Sequence, residues 1–181
     1  KTGSYQAVGD MDAWTFTGAP NQLALMAALA TGGGTHDTQV LLFPSGGGPA
    51  VINTSADRNE HTTTAAGTWT IVTHDNGFND TGSYSLGYLN GTVGPFTNGL
   101  DTNGGPITSS DIVLGTASGP ADFDAYTFSG TNGQRVLVSA VATAGAGYDT
   151  NILLYPPGGG LQAAQTFAGD LLDFQLNATG T

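Results

Sequence analysis

Four aspartates carry the spacing in this chain that is most suggestive of chemistry. Asp10 and Asp12 stand two apart, as do Asp122 and Asp124. On an extended strand, two residues apart means the same face. Two carboxylates on one face repel unless a cation or hydrogen-bond donors lie between them. Calcium, a hard ion that takes six to eight oxygens, is the cation such a set would hold. Asp37 and Asp149 recur beside the same motif and would add oxygens from a neighbouring strand, so the candidate metal residues are Asp10, Asp12, Asp37, Asp122, Asp124 and Asp149. The competing reading is that each aspartate caps a turn by accepting backbone N–H bonds. The run Asp75-Asn76-Gly77-Phe78-Asn79-Asp80 is also rich in oxygen. It lacks the spacing and closing glutamate of an EF-hand loop and reads as a hairpin turn.

Other chemistry is sparse. His36, His61 and His74 are the three imidazoles, and none has a second His or Cys at metal-binding spacing. The sequence holds neither a G-x-S-x-G elbow nor an H-E-x-x-H pair. No catalytic residue and no organic cofactor is assigned. Trp14, Trp69, Tyr84, Tyr126 and Tyr155 alternate with polar residues and read as core aromatics. Tyr88, Phe96 and Tyr148 are the aromatic candidates for a sugar platform. Sequons begin at Asn53, Asn79, Asn90 and Asn177, as chance allows in a chain this rich in Asn and Thr.

The aspartates belong to an internal repeat. Asp10–Gly18 (DMDAWTFTG) returns as Asp122–Gly130 (DFDAYTFSG), an offset of 112 that holds without a gap to Gly48 and Gly160. Over residues 9–48, 20 of 40 positions are identical, so the chain contains two copies of one unit. The boundaries are residues 1–88 for the first copy, 89–112 for a Gly/Asn/Thr-rich linker, and 113–181 for the second.

The elements that position these residues are short strands. Thr2–Gln6 and Asp10–Gly18 come first, the latter with Trp14 and Phe16 on one face. Gln22–Thr31 (QLALMAALAT) has the composition of a helix. Its repeat, Gln134–Thr143 (QRVLVSAVAT), is rich in β-branched valine, so both are predicted to be strands. Asp37–Phe43, a short Ala50–Asn53 edge, Thr68–Thr73 and Ser83–Tyr88 follow, separated by Gly, Pro and Asn. The expected fold is all-β: two tandem antiparallel β-sandwich, jelly-roll-like domains. The second copy aligns as far as Gly180-Thr181 and holds no counterpart of Trp69–Tyr88. A cut chain, an unseen continuation, or strand donation by another chain are the three explanations. The last would make the protein a polymer subunit.

Charge and composition narrow the partners. With 3 Lys+Arg against 14 Asp+Glu and a net charge of −11, the chain lacks the basic footprint that nucleic acid or anionic lipid requires. No run is long and apolar enough to span a membrane. The chain begins at Lys1 with no visible signal peptide and is expected to be a mature or excised piece of something longer. Cysteine is absent, which excludes disulfides and thiol catalysis and is compatible with an extracellular repeat protein.

Gly9–Phe16, Asp37–Gly47, Gly67–Val72 and Thr81–Leu86, with Asp122–Phe128 and Asp149–Gly159 in the second copy, resemble the bacterial pre-peptidase C-terminal domain family. The resemblance covers most of residues 1–88 and 113–160. It implies an extracellular, non-catalytic β-sandwich that accompanies a secreted protein, in a family some of whose members bind calcium, collagen or glycans. The sequence departs from the pattern at Asp57-Arg58-Asn59-Glu60, where a basic residue interrupts the acidic turn. Two functions are therefore expected. One is a non-enzymatic structural protein at the cell surface, the repeat subunit of a self-assembling fibre or adhesin. The other is an accessory module of a secreted hydrolase, with a glycan or extracellular-matrix protein as ligand.

Overall fold

The computed structural model describes residues 1–97, 101–145, 149–166 and 169–181. Every regular element among them is a strand, as expected, and no helix there is long and apolar enough to cross a membrane. The first copy supplies β1 (Thr2–Tyr5), β2 (Met11–Gly18), β3 (Leu23–Gly32), β4 (Thr38–Phe43), β5 (Ile52–Thr54), β6 (Arg58–Thr62), β7 (Gly67–Asp75) and β8 (Gly82–Asn90). They form two antiparallel sheets, ordered β1-β8-β3-β6 and β2-β7-β4-β5. That order is the eight-stranded jelly roll. The inward faces alternate as a period of two demands. Met26, Val40, Leu42, Trp69, Ile71 and Tyr84 meet in the core, with Trp14 and Phe16 packed at its margin.

The helix-like composition of β3 has a physical cause. Ala24, Met26 and Ala28 face the core, yet the alternate residues Leu23, Leu25 and Ala27 are buried as well. A strand buried on both faces reads as a continuous apolar run and loses the alternation that marks a half-buried one. In the second copy the same outward positions hold Arg135, Leu137 and Ser139, all exposed.

Two local expectations are corrected. Asp57-Arg58-Asn59-Glu60 does not form a turn, because Arg58–Thr62 is an edge strand paired with β3. Asp75-Asn76-Gly77 does not close a hairpin, because β7 and β8 lie in different sheets and the segment crosses between them. The crossing chain is held by the buried Asp75 carboxylate. It accepts the backbone N–H groups of Gly77, Asn79 and Asp80 at 3.2, 2.9 and 3.1 Å, and that of Asp37 at 3.3 Å.

In the second copy, β9 (Gly104–Pro106) precedes β10 (Ala125–Thr127), β11 (Arg135–Ser139), β12 (Leu153–Leu154), β13 (Ala164–Gln165) and β14 (Leu171–Gln175). Within the stretch read as a linker, β8 continues to Asn90 and β9 pairs in parallel with β10. The pairings of the first copy return in register. Leu23↔Thr62 becomes Arg135↔Gln175, and Leu41↔Asn53 becomes Leu153↔Gln165. The bridge Gly130↔Gly180 repeats Gly18↔Gly67, the first rung of the β2–β7 ladder. Among the described residues, nothing fills the antiparallel places of β7 and β8. Both are interior strands in the first copy. Among the described residues the second copy consists of two-stranded pieces, and β10, β11 and β12 are shorter than their counterparts β2, β3 and β4, which β7 and β8 flank in the first copy.

Candidate functional site

The six candidate aspartates occupy different settings. Asp10 accepts backbone N–H bonds from Gln6 (2.8 Å) and Met11 (3.0 Å), and Asp122 accepts one from Ser118 (2.6 Å), the residue equivalent to Gln6. Both therefore cap the same turn in the two copies. Asp12 points inward and takes the hydroxyl proton of Tyr84 at 2.7 Å, while Trp14 Nε1 donates to that hydroxyl at 3.1 Å. Asp37 receives Asn76 Nδ2 at 3.4 Å. Among the described residues, Asp10, Asp12 and Asp37 do not converge, and Asp149 does not join Asp122 and Asp124.

One trio does come together. Asp101, Asp122 and Asp124 each place a carboxylate oxygen within 4.8 Å of the others. The Asp124 carboxyl is pushed up to about 6, first by burial and then by the charges of Asp122 and Asp101. Asp124 occupies the position of Asp12 in the repeat. Asp122 and Asp124 are the two of the six candidate aspartates that belong to this trio. Asp101 has no equivalent in the first copy, so no repeat signal points to it.

The imidazoles lie in three separate packing environments. His36 is buried edge-on to Tyr5, His74 stacks on Phe78 with ring centroids 4.1 Å apart, and His61 tilts against Trp69. Burial lowers the pKa of His61, which favours its neutral ring. Of the sugar-platform candidates, Tyr88 stacks on Phe16 at 4.4 Å and Phe96 is half-buried; Tyr148 lies outside the described residues.

The larger feature is the way the two copies meet. The second copy meets the outer face of the first copy's sheet at β6 and β8. Arg58 donates to the Tyr155 hydroxyl (3.5 Å), Gln162 Oε1 (3.3 Å) and Gln165 Oε1 (3.5 Å). Burial, and then Glu60, holds the Tyr155 hydroxyl well above the usual tyrosine range. A Cβ at Gly87 would lie 2.0 Å from the Ala121 carbonyl oxygen and 3.3 Å from the Phe123 ring, so glycine is what allows this approach. Phe123, Tyr155 and Gln165 correspond to Met11, Phe43 and Asn53, which line the outer face of the other sheet in the first copy. The contact therefore joins two non-equivalent faces.

No protein-family model and no curated protein sequence matches the chain. Among solved structures it is similar to PliG of Aeromonas hydrophila, a periplasmic lysozyme inhibitor of g-type lysozyme. The identity is 18% and the TM-score 0.40, over 48% of this chain and 79% of that one.

Proposed function

We propose that this chain is a non-enzymatic extracellular structural protein, a repeat subunit that assembles with copies of itself into a surface fibre through donated strands. The observation that carries this reading is the junction inside the chain, where one copy of the repeated unit binds the outer face of the other. Strand donation adds that a second molecule fills the interior slots of β7 and β8, which hold no strand among the described residues of the second copy. Among the described residues, the edges of β10, β11 and β12 that correspond to those facing β7 and β8 in the first copy have no strand beside them. An added strand gains a ladder of main-chain bonds, and its alternate side chains fill a waiting apolar face. The acceptor is this set of open edges, and β14 lies on the opposite, already paired side of β11. The donor is a segment of a second copy that lies outside any sheet interior: β1, a sheet edge, or the stretch around β9, which is already extended along β10. The scarcity of charge, the Thr- and Gly-rich composition and the resemblance to a family of extracellular sandwiches support the location.

Size-exclusion with light scattering, beside electron microscopy of the same sample, tests the proposal. Concentration-dependent oligomers and filaments with a regular subunit repeat are expected. A synthetic peptide of residues 67–90, carrying β7 and β8, is expected to fill the slots and stop growth. A chain that stays monomeric and fully folded at high concentration would sink the proposal.

A further inference from the structure

The junction between the copies has a direction. It presses the outer β3–β6–β8 face of the first copy onto the outer β10, β12 and β13 side of the second. Each copy carries both kinds of face, so among the described residues one of each remains uncovered. On the second copy the free face is that of β11 and β14, where Leu137, Val141 and Leu171 are 65%, 59% and 56% exposed. On the first copy it is the outer face of β2-β7-β4-β5. There Met11, Leu41, Phe43, Val72, His74 and Phe78 line a shallow groove of ≈ 320 Å³.

We propose that these two free faces bind each other between copies of this chain, repeating the internal junction from one molecule to the next. Two observations favour a second copy as the occupant. The first is continuity with the existing interface. Leu137 takes the place of Leu25, which is buried on the outer face of β3 opposite Glu60, and Phe43 takes the place of Tyr155, which meets that face at Arg58 and Glu60. The second is a matched change of chemistry. Inside the chain the polar pair is Arg58 with the Tyr155 hydroxyl. At the corresponding free positions both members are apolar, Leu171 and Phe43. The guanidinium and the hydroxyl are lost together, so neither is stranded where these two positions meet, and Gln39 and Asn53, which also line the groove, already bond each other. The nearby Arg135 is already paired with Asp173 on its own face. Because the joined faces differ, the contact does not close on itself and builds a head-to-tail filament. The inference rests on the self-assembly reading but does not use the strand slots.

Two variants test it, Leu171→Glu on one face and Phe43→Lys on the other, with Met11→Lys in place of the latter should its thermal melt show unfolding. Each alone is expected to weaken self-association by ~10-fold or more in sedimentation velocity, the loss of a central anchor. Mixed, they are expected to regain association as an alternating polymer that dissolves at high salt, because Glu then faces Lys. Parent-like association of both single variants would overturn the proposal. Filling the slots with the 67–90 peptide separates the two ideas. Association that survives the peptide but not Leu171→Glu supports the face contact against strand donation. Association abolished by the peptide and indifferent to both variants leaves strand donation standing and removes the face contact.

Discussion

Leu25 and Leu137 hold the same place in the two copies, yet Leu25 is 3% exposed and Leu137 is 65% exposed. Leu25 lies between Glu60 and Leu89 on the face that the second copy meets at Arg58 and Gly87, and Leu137 lies on a face with no such contact among the described residues. Leu25→Ala should cost about 2–5 kcal/mol, a lost transfer term plus a cavity at a packed junction. Leu137→Ala should stay within about 0.5 kcal/mol in dilute solution. Urea unfolding of both variants at low protein concentration checks the contrast, and equal effects would contradict the burial pattern.

Tyr84 links two sheets through one hydroxyl, donating to Asp12 and accepting from Trp14 Nε1. Tyr84→Phe leaves an inward carboxylate and an indole N–H without that partner. A loss of about 1–3 kcal/mol is expected, read by denaturant titration. A neutral substitution would mean that water replaces the hydroxyl.

Asp75 fixes the crossing between the sheets. Burial works to raise its pKa, but the N–H groups of Asn79, Asp80, Asp37 and Gly77 outweigh burial and hold it below the ordinary 3.8. A depressed folded value stabilises the protein above the unfolded pKa, and that stability is lost as pH falls through the folded value. Asp75→Ala should cost about 3 kcal/mol near neutrality. Asp75→Asn should flatten the fall in melting temperature below pH of about 4. A variant with the parent's acid profile would show that the carboxylate is not the controlling group.

Asp124 has the opposite sign. With its folded value raised to about 6 from 3.8, the native state holds the proton more tightly, and stability declines as pH rises between those values. Asp124→Asn removes that decline. Calorimetry at several pH values should show the variant gaining on the parent above pH of about 6, and no relative gain would place the charge repulsion elsewhere.

Gly87→Ala sets a methyl group against the Ala121 carbonyl oxygen. The second copy is expected to lift from the first while the core around Trp69 keeps its near-ultraviolet signature. Faster proteolysis between residues 92 and 120, with that signature unchanged, is the expected result. Parent-like proteolysis would mean that the junction adapts to the methyl group.

Much of this protein is legible in its sequence because its determinants are local and periodic. The alternation of Trp14 and Phe16 with Ala13 and Thr15 marks β2, the Gly46-Gly47-Gly48 turn closes β4, and an offset of 112 reveals the second copy before any coordinate does. The valines of the repeat even overrule the helical look of Leu23–Thr31. What the tertiary structure alone decided are relationships between residues far apart in the chain. It moved Asp75 from a hairpin to a crossing between sheets, made an edge strand of the expected turn at Arg58, and brought Asp101 beside Asp122 and Asp124. It also showed that the places of β7 and β8, empty among the described residues of the second copy, are interior ones, and that the second copy packs on the first around Arg58 and Gly87. Strand period depends on a residue and its near neighbours. Sheet order and the covering of an outer face depend on which distant surfaces meet, and no local pattern encodes that.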